Sequence, residues 1–467
     1  MRKFYITSSL PYVNSPGHIG HALELIQVDV LARYHRILGD DVFFLTGTDE
    51  HGAKIVRAAK EAGKTPKEFT DEISQKYQEL TKALNLSNND FIRTTDQKRH
   101  WPNVQKVWLK IKENGDIYKK AYRGLYCVGC EAFVKEKDLV EGKCPIHLQK
   151  PEIIEEENYF FKLSKYALAV KEKVESGKIK IIPAVRKNEI LSFINQGVED
   201  VSCSRSRANL KWGVPVPGDD SQTIYVWFEA LVNYLFPEKR WPADVQCLGK
   251  DIFRFHALWW PAMLLSLGLD LPKTIFIHGY ITSDGQKMSK SLGNVVDPFE
   301  LIKKYGADAV RYFLLREIPS TEDGDFTEEK FIERYNGDLA SGLGNLVSRL
   351  IKHPQTPNVR KIEHEEELLE DYGDILNIAI KQYKYSIEKF DFSTSLGAIW
   401  QLIKFCDQKI EKTKLWEKGG KQIEIIASLL FIVGEIARLI EPFLPETSEK
   451  ILKQLKTRKS EPLFPRI

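Results

Sequence analysis

The first fifty residues contain a strand–helix–strand pattern, and this pattern constrains the fold more than any other feature. The run 42–45, Val-Phe-Phe-Leu, is almost continuously apolar, as is typical of a parallel strand buried on both faces. A shorter β-prone run occupies residues 4–7. Between the runs, apolar residues recur at helical spacing, with Ser15-Pro16 as the predicted N-cap and first turn. Since parallel strands need such a crossover, the pattern predicts an α/β fold.

Polar segments follow both predicted strands. Residues 11–17 form a loop after the first, and residues 46–52, Thr-Gly-Thr-Asp-Glu-His-Gly, follow the second. Ligands of open parallel sheets bind beyond the carboxyl ends of the strands. We therefore expect the two loops to face one crevice.

Composition excludes several classes of protein. The chain has 467 residues, and 68 Lys and Arg against 65 Asp and Glu leave a net charge of only +3, which is too small for a bulk polyanion binder. A hydrophobic fraction of 43% excludes a wholly disordered chain. The longest apolar stretches, 257–269 and 425–440, are too short or carry charges, and no targeting signal precedes them. We expect a cytoplasmic protein that does not enter a membrane.

The pattern of residue types changes twice along the chain. Residues 122–160 mix Cys, Gly, Lys and Glu with little helical period, strand and helix patterns resume near residue 224, and the chain is helical from about Phe331. We predict an α/β domain at 1–115 and 224–330, an insertion at 116–223 and an α-helical domain at 331–467.

The first chemical motif is His18-Ile-Gly-His21, at the predicted start of the first helix. Its two imidazoles lie three residues apart and share a helix face. A helix N-terminus attracts phosphate, and Gly20 leaves room for a base or ribose against the backbone. The motif predicts stabilisation of a nucleotide phosphate in a transition state. The alternative is a pair of surface histidines.

The second motif is Lys287-Met-Ser-Lys290-Ser, which follows the turn-rich segment 282–286. Two lysines with interleaved hydroxyls suit a departing pyrophosphate. The alternative is an ordinary solvated loop, against which the apolar Met288 argues.

A third motif has the spacing of a structural zinc site. Cys127-x2-Cys130 and Cys144-x2-His147 are separated by thirteen residues. Four such ligands close the coordination sphere, so the predicted ion stabilises the insertion and has no open position for catalysis. The spacing does not separate zinc from iron.

Together, the histidine motif and the lysine motif about 270 residues later resemble the signature pair of the class I aminoacyl-tRNA synthetases. The resemblance implies a Rossmann-like catalytic domain with a zinc-knuckle insertion, followed by an α-helical anticodon-binding domain. The knuckle is similar to that of the methionyl enzymes of this family, and the insertion looks too short for a separate editing domain. The residues that match the methionine pocket of those enzymes are Leu10, Tyr12, Asp49, Trp227, Ala230, Tyr234, His256 and Trp260.

The resemblance also assigns roles. Asp49 would hold the α-ammonium group, and the polar tips of Tyr12, Tyr234 or His256 would meet the thioether sulfur. The predicted catalytic residues are His18, His21, Lys287 and Lys290, and those contacting ATP with its Mg²⁺ are Gly20, Asp251, Lys287, Ser289 and Lys290. Asn345 and Arg349 would read the anticodon of tRNA(Met), initiator tRNA included, and Trp416 would stack on a base. We expect a monomer, since the dimerisation module of some relatives has no counterpart here.

Three alternatives remain open at this stage. The chain resembles a family whose other members activate other amino acids, and a cysteinyl enzyme would use its zinc to hold substrate. A small-metabolite adenylyltransferase carries a related histidine motif but lacks the helical domain. A zinc-knuckle RNA-binding relic would retain the motifs without activity.

Overall fold

The computed structural model describes residues 1–129, 132–134, 136–146, 148–237, 239–288, 293–356, 365–417 and 422–467. These residues form two compact units. The first comprises Met1–Gly17, Gly39–Thr81 and Asn88–Ile277, and the second comprises His18–Leu38, Lys82–Ser87 and His278–Ile467. The predicted domain limits at 115, 223 and 330 remain predictions.

Most strands of the described chain lie before residue 290. In chain order they are β1 (Lys3–Thr7), β2 (Asp41–Thr48), β3 (Asp90–Arg93), β4 (Ile117–Cys127), β5 (Ala132–Val134), β6 (Glu152–Phe161), β7 (Lys180–Ile182), β8 (Val201–Ser202), β9 (Ser204–Ser206), β10 (Pro215–Val216), β11 (Asp219–Ile224), β12 (Val245–Gly249), β13 (Thr274–His278), β14 (Ile281–Ser283), β15 (Gln286–Lys287) and β16 (Gly324–Phe326).

The helices run through both units and dominate the end of the chain. In chain order they are α1 (Ile19–Ile37), α2 (Ala53–Glu61), α3 (Pro66–Ala83), α4 (His100–Glu113), α5 (Leu163–Glu175), α6 (Ala184–Asn195), α7 (Val226–Leu231), α8 (Trp260–Leu267), α9 (Pro298–Tyr305), α10 (Ala307–Arg316), α11 (Glu328–Arg334), α12 (Asn345–Lys352), α13 (Glu365–Glu388), α14 (Phe392–Thr413), α15 (Gln422–Ile440) and α16 (Pro445–Thr457). Two π-helical segments, Phe255–Trp259 and Tyr335–Gly344, lead into α8 and α12. In the described part of the chain, none of these helices has the length and apolar character that crossing a bilayer requires.

A six-stranded sheet with the order β3-β2-β1-β12-β13-β7 forms the base of the first unit. β1 pairs in parallel with β2 and β12, and β2 pairs in parallel with β3, as the apolar runs predict. The edge strand β7 comes from within the predicted insertion and pairs in parallel with β13. The α/β prediction is confirmed, and the central strands bring the ends of β1, β2 and β12 to one edge of the sheet.

The insertion is built on a long antiparallel hairpin. β4 and β6 pair from Ile117 with Phe161 to Tyr126 with Glu152, and β5 and β8 extend them into a four-stranded sheet. Cys127, the first predicted ligand, is the last residue of β4 and so lies at the end of the hairpin away from Ile117. A second small sheet has the order β10-β11-β9 and leads into α7.

The first helix begins later than the sequence pattern predicts. Ser15-Pro16 is not its start, because α1 begins at Ile19 and His18 is the N-cap. The imidazole of His18 accepts a hydrogen bond from the backbone N–H of Gly20, a role that Ser15 was expected to fill. An imidazole acceptor therefore replaces the usual hydroxyl or carboxylate.

A buried ion pair organises the second unit. The side chains of Asp29 on α1 and Arg311 on α10 are both fully buried, with 2.8 Å between Oδ2 and Nη2. Arg311 also donates to the carbonyl oxygens of Leu84, Pro442 and Phe443. Burial alone would raise the pKa of Asp29, but the charges of Arg311 and Arg33 and the hydrogen bonds from Ser87 outweigh it and lower this pKa.

Candidate functional site

The loops after β1 and β2 lie side by side and are paired through their backbones. Tyr12 and Asp49 form an isolated parallel bridge. The N–H of Asp49 donates to the carbonyl of Pro11 at 3.0 Å, and the N–H of Val13 donates to the carbonyl of Asp49 at 3.1 Å. The Asp49 side chain is buried, with its Oδ1 3.5 Å from the Thr94 hydroxyl, and a buried carboxylate is a suitable partner for a charged amine.

Aromatic side chains from α7, α8 and the segment between them form a wall of the same unit. Trp227 stacks on Phe255 with 4.0 Å between ring centroids, and Tyr234 lies 5.6 Å from His256 and 6.1 Å from Trp260. Tyr12 packs on the same apolar cluster. The structure therefore places five of the eight predicted pocket residues next to one another, namely Tyr12, Trp227, Tyr234, His256 and Trp260. Asp49 is joined to this group by its backbone bridge to Tyr12.

The remaining two predicted pocket residues, Ala230 and Leu10, are not among these aromatic contacts. Ala230 is buried on α7, one helical turn after Trp227. Leu10 is half-buried and packs with Phe236 and Trp241 on a second apolar cluster of the first unit. Both are apolar contacts of the kind that a thioether side chain needs.

The polar tips of the wall hold one another. The Nδ1 of His256 lies 3.1 Å from the carbonyl oxygen of Ile252, which can only accept, so Nδ1 carries the proton. Its Nε2, 2.8 Å from the Tyr234 hydroxyl, is then the acceptor. The Tyr12 hydroxyl donates to the carbonyl oxygen of His51 at 2.5 Å. Tyr12, Tyr234 and His256 thus each donate a hydrogen bond to an acceptor within the protein. Because these donors are already used, the wall favours an apolar substrate group over a hydroxyl.

The two motif histidines cap the first helix together. The backbone N–H of Gly20 donates to Nδ1 of His18 at 3.1 Å, and the backbone N–H of His18 donates to Nδ1 of His21 at 3.2 Å. This is a capping box in which two imidazoles replace the usual hydroxyl and carboxylate. Because a backbone N–H only donates, both Nδ1 atoms are unprotonated, and the neutral rings carry their proton on Nε2.

Burial keeps both rings neutral. Desolvation lowers the pKa of His18 to about 4. Desolvation also lowers the pKa of His21, and the electrostatic effect of the nearby His18 and His278 lowers it further. At neutral pH the pair therefore presents two neutral Nε2–H donors.

The second unit contains a third histidine near this pair, which the sequence did not predict. His278, at the end of β13, has its Nε2 2.9 Å from a carboxylate oxygen of Glu24 on α1 and its Nδ1 2.7 Å from the carbonyl of Gly279. Both partners are acceptors, an arrangement that fits an imidazolium ion. Only its place directly after an apolar strand marks it in the sequence.

The glycine of the motif leaves room for the side chain of its own neighbour, His18. A Cβ on Gly20 would lie 2.8 Å from Cε1 and 3.0 Å from Nδ1 of the His18 ring. The absence of a side chain therefore makes room for the imidazole cap, in addition to any room for a nucleotide.

The lysine motif begins on a small hairpin of the second unit. β14 pairs with β15 around the turn Asp284-Gly285, where both residues have positive φ. Asp325 on β16 accepts hydrogen bonds from Thr282 and from the N–H of Gly285, which fixes the turn. Lys287 is exposed, with Nζ 5.7 Å from the centre of the Tyr280 ring. Ser289 and Lys290 lie outside the described residues.

The last predicted ATP contact, Asp251, follows β12 in the first unit and is exposed. It therefore lies beyond the carboxyl end of a central strand, where ligands of such sheets bind.

Half of the predicted metal site belongs to the described chain. Cys127 at the end of β4 and Cys144 are each buried to 2% exposure or less, and Cys144 is buried although the residues next to it are exposed. Cys130 and His147 lie outside the described residues. Among the residues that are described, no three candidate ligands come together. Two buried thiols are soft donors that fit Zn²⁺.

The predicted RNA contacts lie in the second unit. Asn345 is exposed at the start of α12, and Arg349 follows one turn later. The Arg349 guanidinium lies 3.1 Å from Glu411 and 3.9 Å from Asp407, both on α14. Trp416, just beyond α14, is 58% exposed. An exposed indole offers a stacking surface for an unpaired base.

Comparison with known proteins gives consistent matches along the chain. The family described as tRNA synthetases class I (M) matches residues 4–149 and 134–351, and the anticodon-binding domain of tRNA ligase matches residues 374–464. The methionine–tRNA ligase of Caldanaerobacter subterraneus subsp. tengcongensis is 43% identical over 97% of this chain and 74% of its own length. That of Thermotoga maritima is 42% identical over 97% of this chain and 75% of its own length.

Solved structures give the same result. Mycobacterium tuberculosis methionyl-tRNA synthetase in complex with methionyl-adenylate superposes with a TM-score of 0.91 at 34% identity, over 100% of both chains.

Proposed function

The chain belongs to the class I methionyl-tRNA synthetases, so its reaction is that of a methionine–tRNA ligase, and from this premise we propose which residues carry each step. In the first step, the methionine carboxylate attacks the α-phosphorus of ATP. Methionyl-adenylate forms and pyrophosphate leaves. A carboxylate is already ionised at neutral pH, so no side-chain base is required.

We propose that Asp49 and the aromatic wall bind methionine. Asp49 pairs with the α-ammonium group, while Trp227, Tyr234, His256 and Trp260 enclose the side chain. The observation that carries this proposal is the backbone bridge between Tyr12 and Asp49, which joins the buried carboxylate to the aromatic wall. Leu10 and Ala230 complete the apolar lining.

The histidine pair acts on the phosphates as neutral donors. His18 and His21 direct Nε2–H groups at charge that develops in the transition state, where fixed donors are most effective. Lys287 and Lys290 neutralise the departing pyrophosphate, and Ser289 adds a hydroxyl contact. Gly20 and Asp251 hold the nucleoside. Bound together with ATP, Mg²⁺ would further neutralise the phosphate charge.

In the second step, the terminal adenosine of tRNA(Met) takes the methionyl group and AMP leaves. Asn345 and Arg349 contact the anticodon bases, and Trp416 stacks on one of them. Both elongator and initiator tRNA belong to the proposal, together with a monomeric chain and a cytoplasmic location.

We propose a structural zinc ion bound by Cys127, Cys130, Cys144 and His147, supported by the burial of the two described thiols. The ion would close the end of the β4–β6 hairpin. Metal analysis of the purified chain and of Cys144→Ser tests this site. A wild-type chain without stoichiometric zinc, or with iron in its place, contradicts the assignment.

Amino-acid-dependent ATP–pyrophosphate exchange, without tRNA, tests the substrate. We expect exchange with methionine and with no other proteinogenic amino acid, and loss of exchange in His21→Ala. Exchange with a different amino acid would overturn the pocket assignment. No exchange from folded, metal-loaded protein would favour the relic.

A further inference from the structure

A buried carboxylate connects three distant segments of the first unit. Glu229 on α7 is fully buried, and its Oε1 lies 2.8 Å from Nδ1 of His51, which is 178 positions away. Its Oε2 lies 2.5 Å from Nε2 of His100, the first residue of α4 and 129 positions away. Both carboxylate oxygens are therefore used by imidazoles from different segments.

The proton positions in this cluster follow from the geometry. Burial alone would raise the pKa of Glu229, but the charge and hydrogen bonds of His51 and His100 outweigh burial and lower this pKa. Glu229 is thus ionised and only accepts hydrogen bonds. His51 must donate through Nδ1–H and His100 through Nε2–H. Both hydrogen bonds therefore run from the imidazoles to the carboxylate. A substitution that moves the donor nitrogen of either histidine breaks its bond.

Glu229 and its partner His51 lie on two different elements of the proposed methionine pocket, while His100 holds the second carboxylate oxygen. The carbonyl of His51 accepts from the Tyr12 hydroxyl, and Asp49 lies two residues before His51 on the same loop. Trp227 and Ala230 share the short helix α7 with Glu229. The bond from Glu229 to His51 therefore joins the loop that carries Asp49 to the helix that carries the aromatic wall.

The surroundings hold the His51 ring in one orientation. Its centroid lies 5.9 Å from that of Trp101 and 5.6 Å from that of Trp212, and both contacts are tilted or edge-on. The Trp212 indole N–H donates to the carbonyl of Glu50 at 2.6 Å, which anchors the same loop. Packing of this kind excludes water and strengthens the bonds to the carboxylate.

We propose that Glu229 is a positioning residue for methionine activation, which acts through His51 and His100. It sets the separation between the Asp49 loop and the Trp227 wall, and so the fit of the methionine between its ammonium group and its thioether. This inference rests on the proposed function, because it assigns the substrate side of that same pocket. It concerns the affinity for methionine and leaves the contacts to ATP unchanged.

Amide substitutions that keep or misplace the donor nitrogen test the proposal. The amide nitrogen of asparagine lies about where Nδ1 of histidine lies, and that of glutamine lies near Nε2. His51→Asn and His100→Gln therefore keep the donor to Glu229, whereas His51→Gln and His100→Asn misplace it. Glu113→Gln, at an exposed glutamate of α4, is the control for a substitution on the same helix as His100 that should leave both KM values unchanged.

The measurements are the KM values for methionine and for ATP in pyrophosphate exchange, with the thermal midpoint of each variant. We expect each misplaced variant to have a methionine KM about tenfold above its matched partner, as loss of a charge-assisted hydrogen bond implies. The ATP KM should stay unchanged. A merely structural role would lower the thermal midpoints without separating the two KM values.

Equal methionine KM values within both pairs, or a joint rise of both KM values, would overturn the inference. If the variants with a misplaced donor nitrogen do not fold, Glu229→Asp is the deciding test. Aspartate keeps the negative charge, but its carboxylate lies one methylene further from the two histidines. An unchanged methionine KM in Glu229→Asp would overturn the inference, and a selective rise would support it. Failure of the unmodified chain to exchange with methionine would overturn the proposed function and this inference together, whereas failure confined to the variants would overturn only the inference.

Discussion

The backbone N–H of His18 donates a hydrogen bond to Nδ1 of His21 at 3.2 Å, while the His18 ring accepts from Gly20. The two histidines are therefore parts of the helix cap as well as candidate catalytic groups. The cap occupies both Nδ1 atoms and directs the Nε2–H donors away from the backbone. Capping and phosphate binding are thus assigned to opposite nitrogens of the same rings, and substitutions can separate them.

Replacement of His18 by the two carboxamides should separate its roles. His18→Asn keeps an N-cap acceptor and removes the Nε2–H donor, so we expect near-normal stability and a loss of exchange kcat of about 10²–10³-fold. His18→Gln carries a nitrogen near the Nε2 position but caps poorly, so stability should fall by about 1 kcal/mol. Exchange kinetics and thermal unfolding of the pair check this. Equal kcat losses without a stability difference would contradict it.

Gly20→Ala should lower activity without lowering stability. The new Cβ would meet the His18 ring at 2.8 Å, so the imidazole must rotate, and its Nε2–H would no longer point at the proposed phosphate position. Alanine also has the better helix propensity, by about 1 kcal/mol. Gly397→Ala in α14 is the matched control, because nothing lies within 4 Å of its Cβ position. It should raise the thermal midpoint and leave exchange intact. Full activity in Gly20→Ala would refute the steric account.

The free energy of unfolding should fall as the pH drops from 6.5 towards 4, because His18 is protonated less readily in the folded chain than in the unfolded chain. The folded chain holds the pKa of His18 near 4, against the ordinary value of 6.5. Between these values the unfolded chain binds more protons, so stability is fully present above pH 6.5 and is lost progressively towards pH 4. Thermal midpoints across this range should fall more steeply for the wild type than for His18→Asn, which does not titrate there. Parallel profiles would show that position 18 contributes nothing.

Trp416→Ala should weaken tRNA binding selectively. Loss of one stacking platform costs about 1–3 kcal/mol of binding free energy, while the amino-acid pocket is untouched. Trp416→Phe keeps an aromatic face and should retain most of the affinity. Filter binding with tRNA(Met), beside tRNA-free exchange, distinguishes the effects. Unchanged affinity in the alanine variant would remove Trp416 from the proposed RNA contact.

Arg311→Met should destabilise the second unit strongly. It leaves the buried Asp29 carboxylate without its arginine on α10, a loss of about 3–5 kcal/mol in the free energy of unfolding. Lys450→Met, at a half-exposed pair with Glu446, should cost less than about 1 kcal/mol. Chemical denaturation of both variants compares them. Similar losses would mean that burial does not govern the strength of these pairs.

The sequence predicted the features that depend on local order. The apolar run 42–45 lies in β2, because a strand buried on both faces needs continuous apolar residues. The position of His18 and Gly20 at a helix start also followed from local pattern. The start itself was placed three residues early, since Ser15-Pro16 has the residue types of a helix cap and a histidine cap has no comparable signature.

Only the tertiary structure decided which distant side chains meet. Glu229 lies within the apolar run Tyr-Val-Trp-Phe-Glu-Ala-Leu, where its charge has no local explanation, and its two histidines come from a loop and a helix far away in the chain. The same holds for Asp29 with Arg311. A buried charge needs a partner at hydrogen-bond distance, and local sequence preference carries no information about which segment supplies it. Residue types and spacing therefore determined the family and the motifs by themselves, whereas the pairing of buried charges required the folded chain.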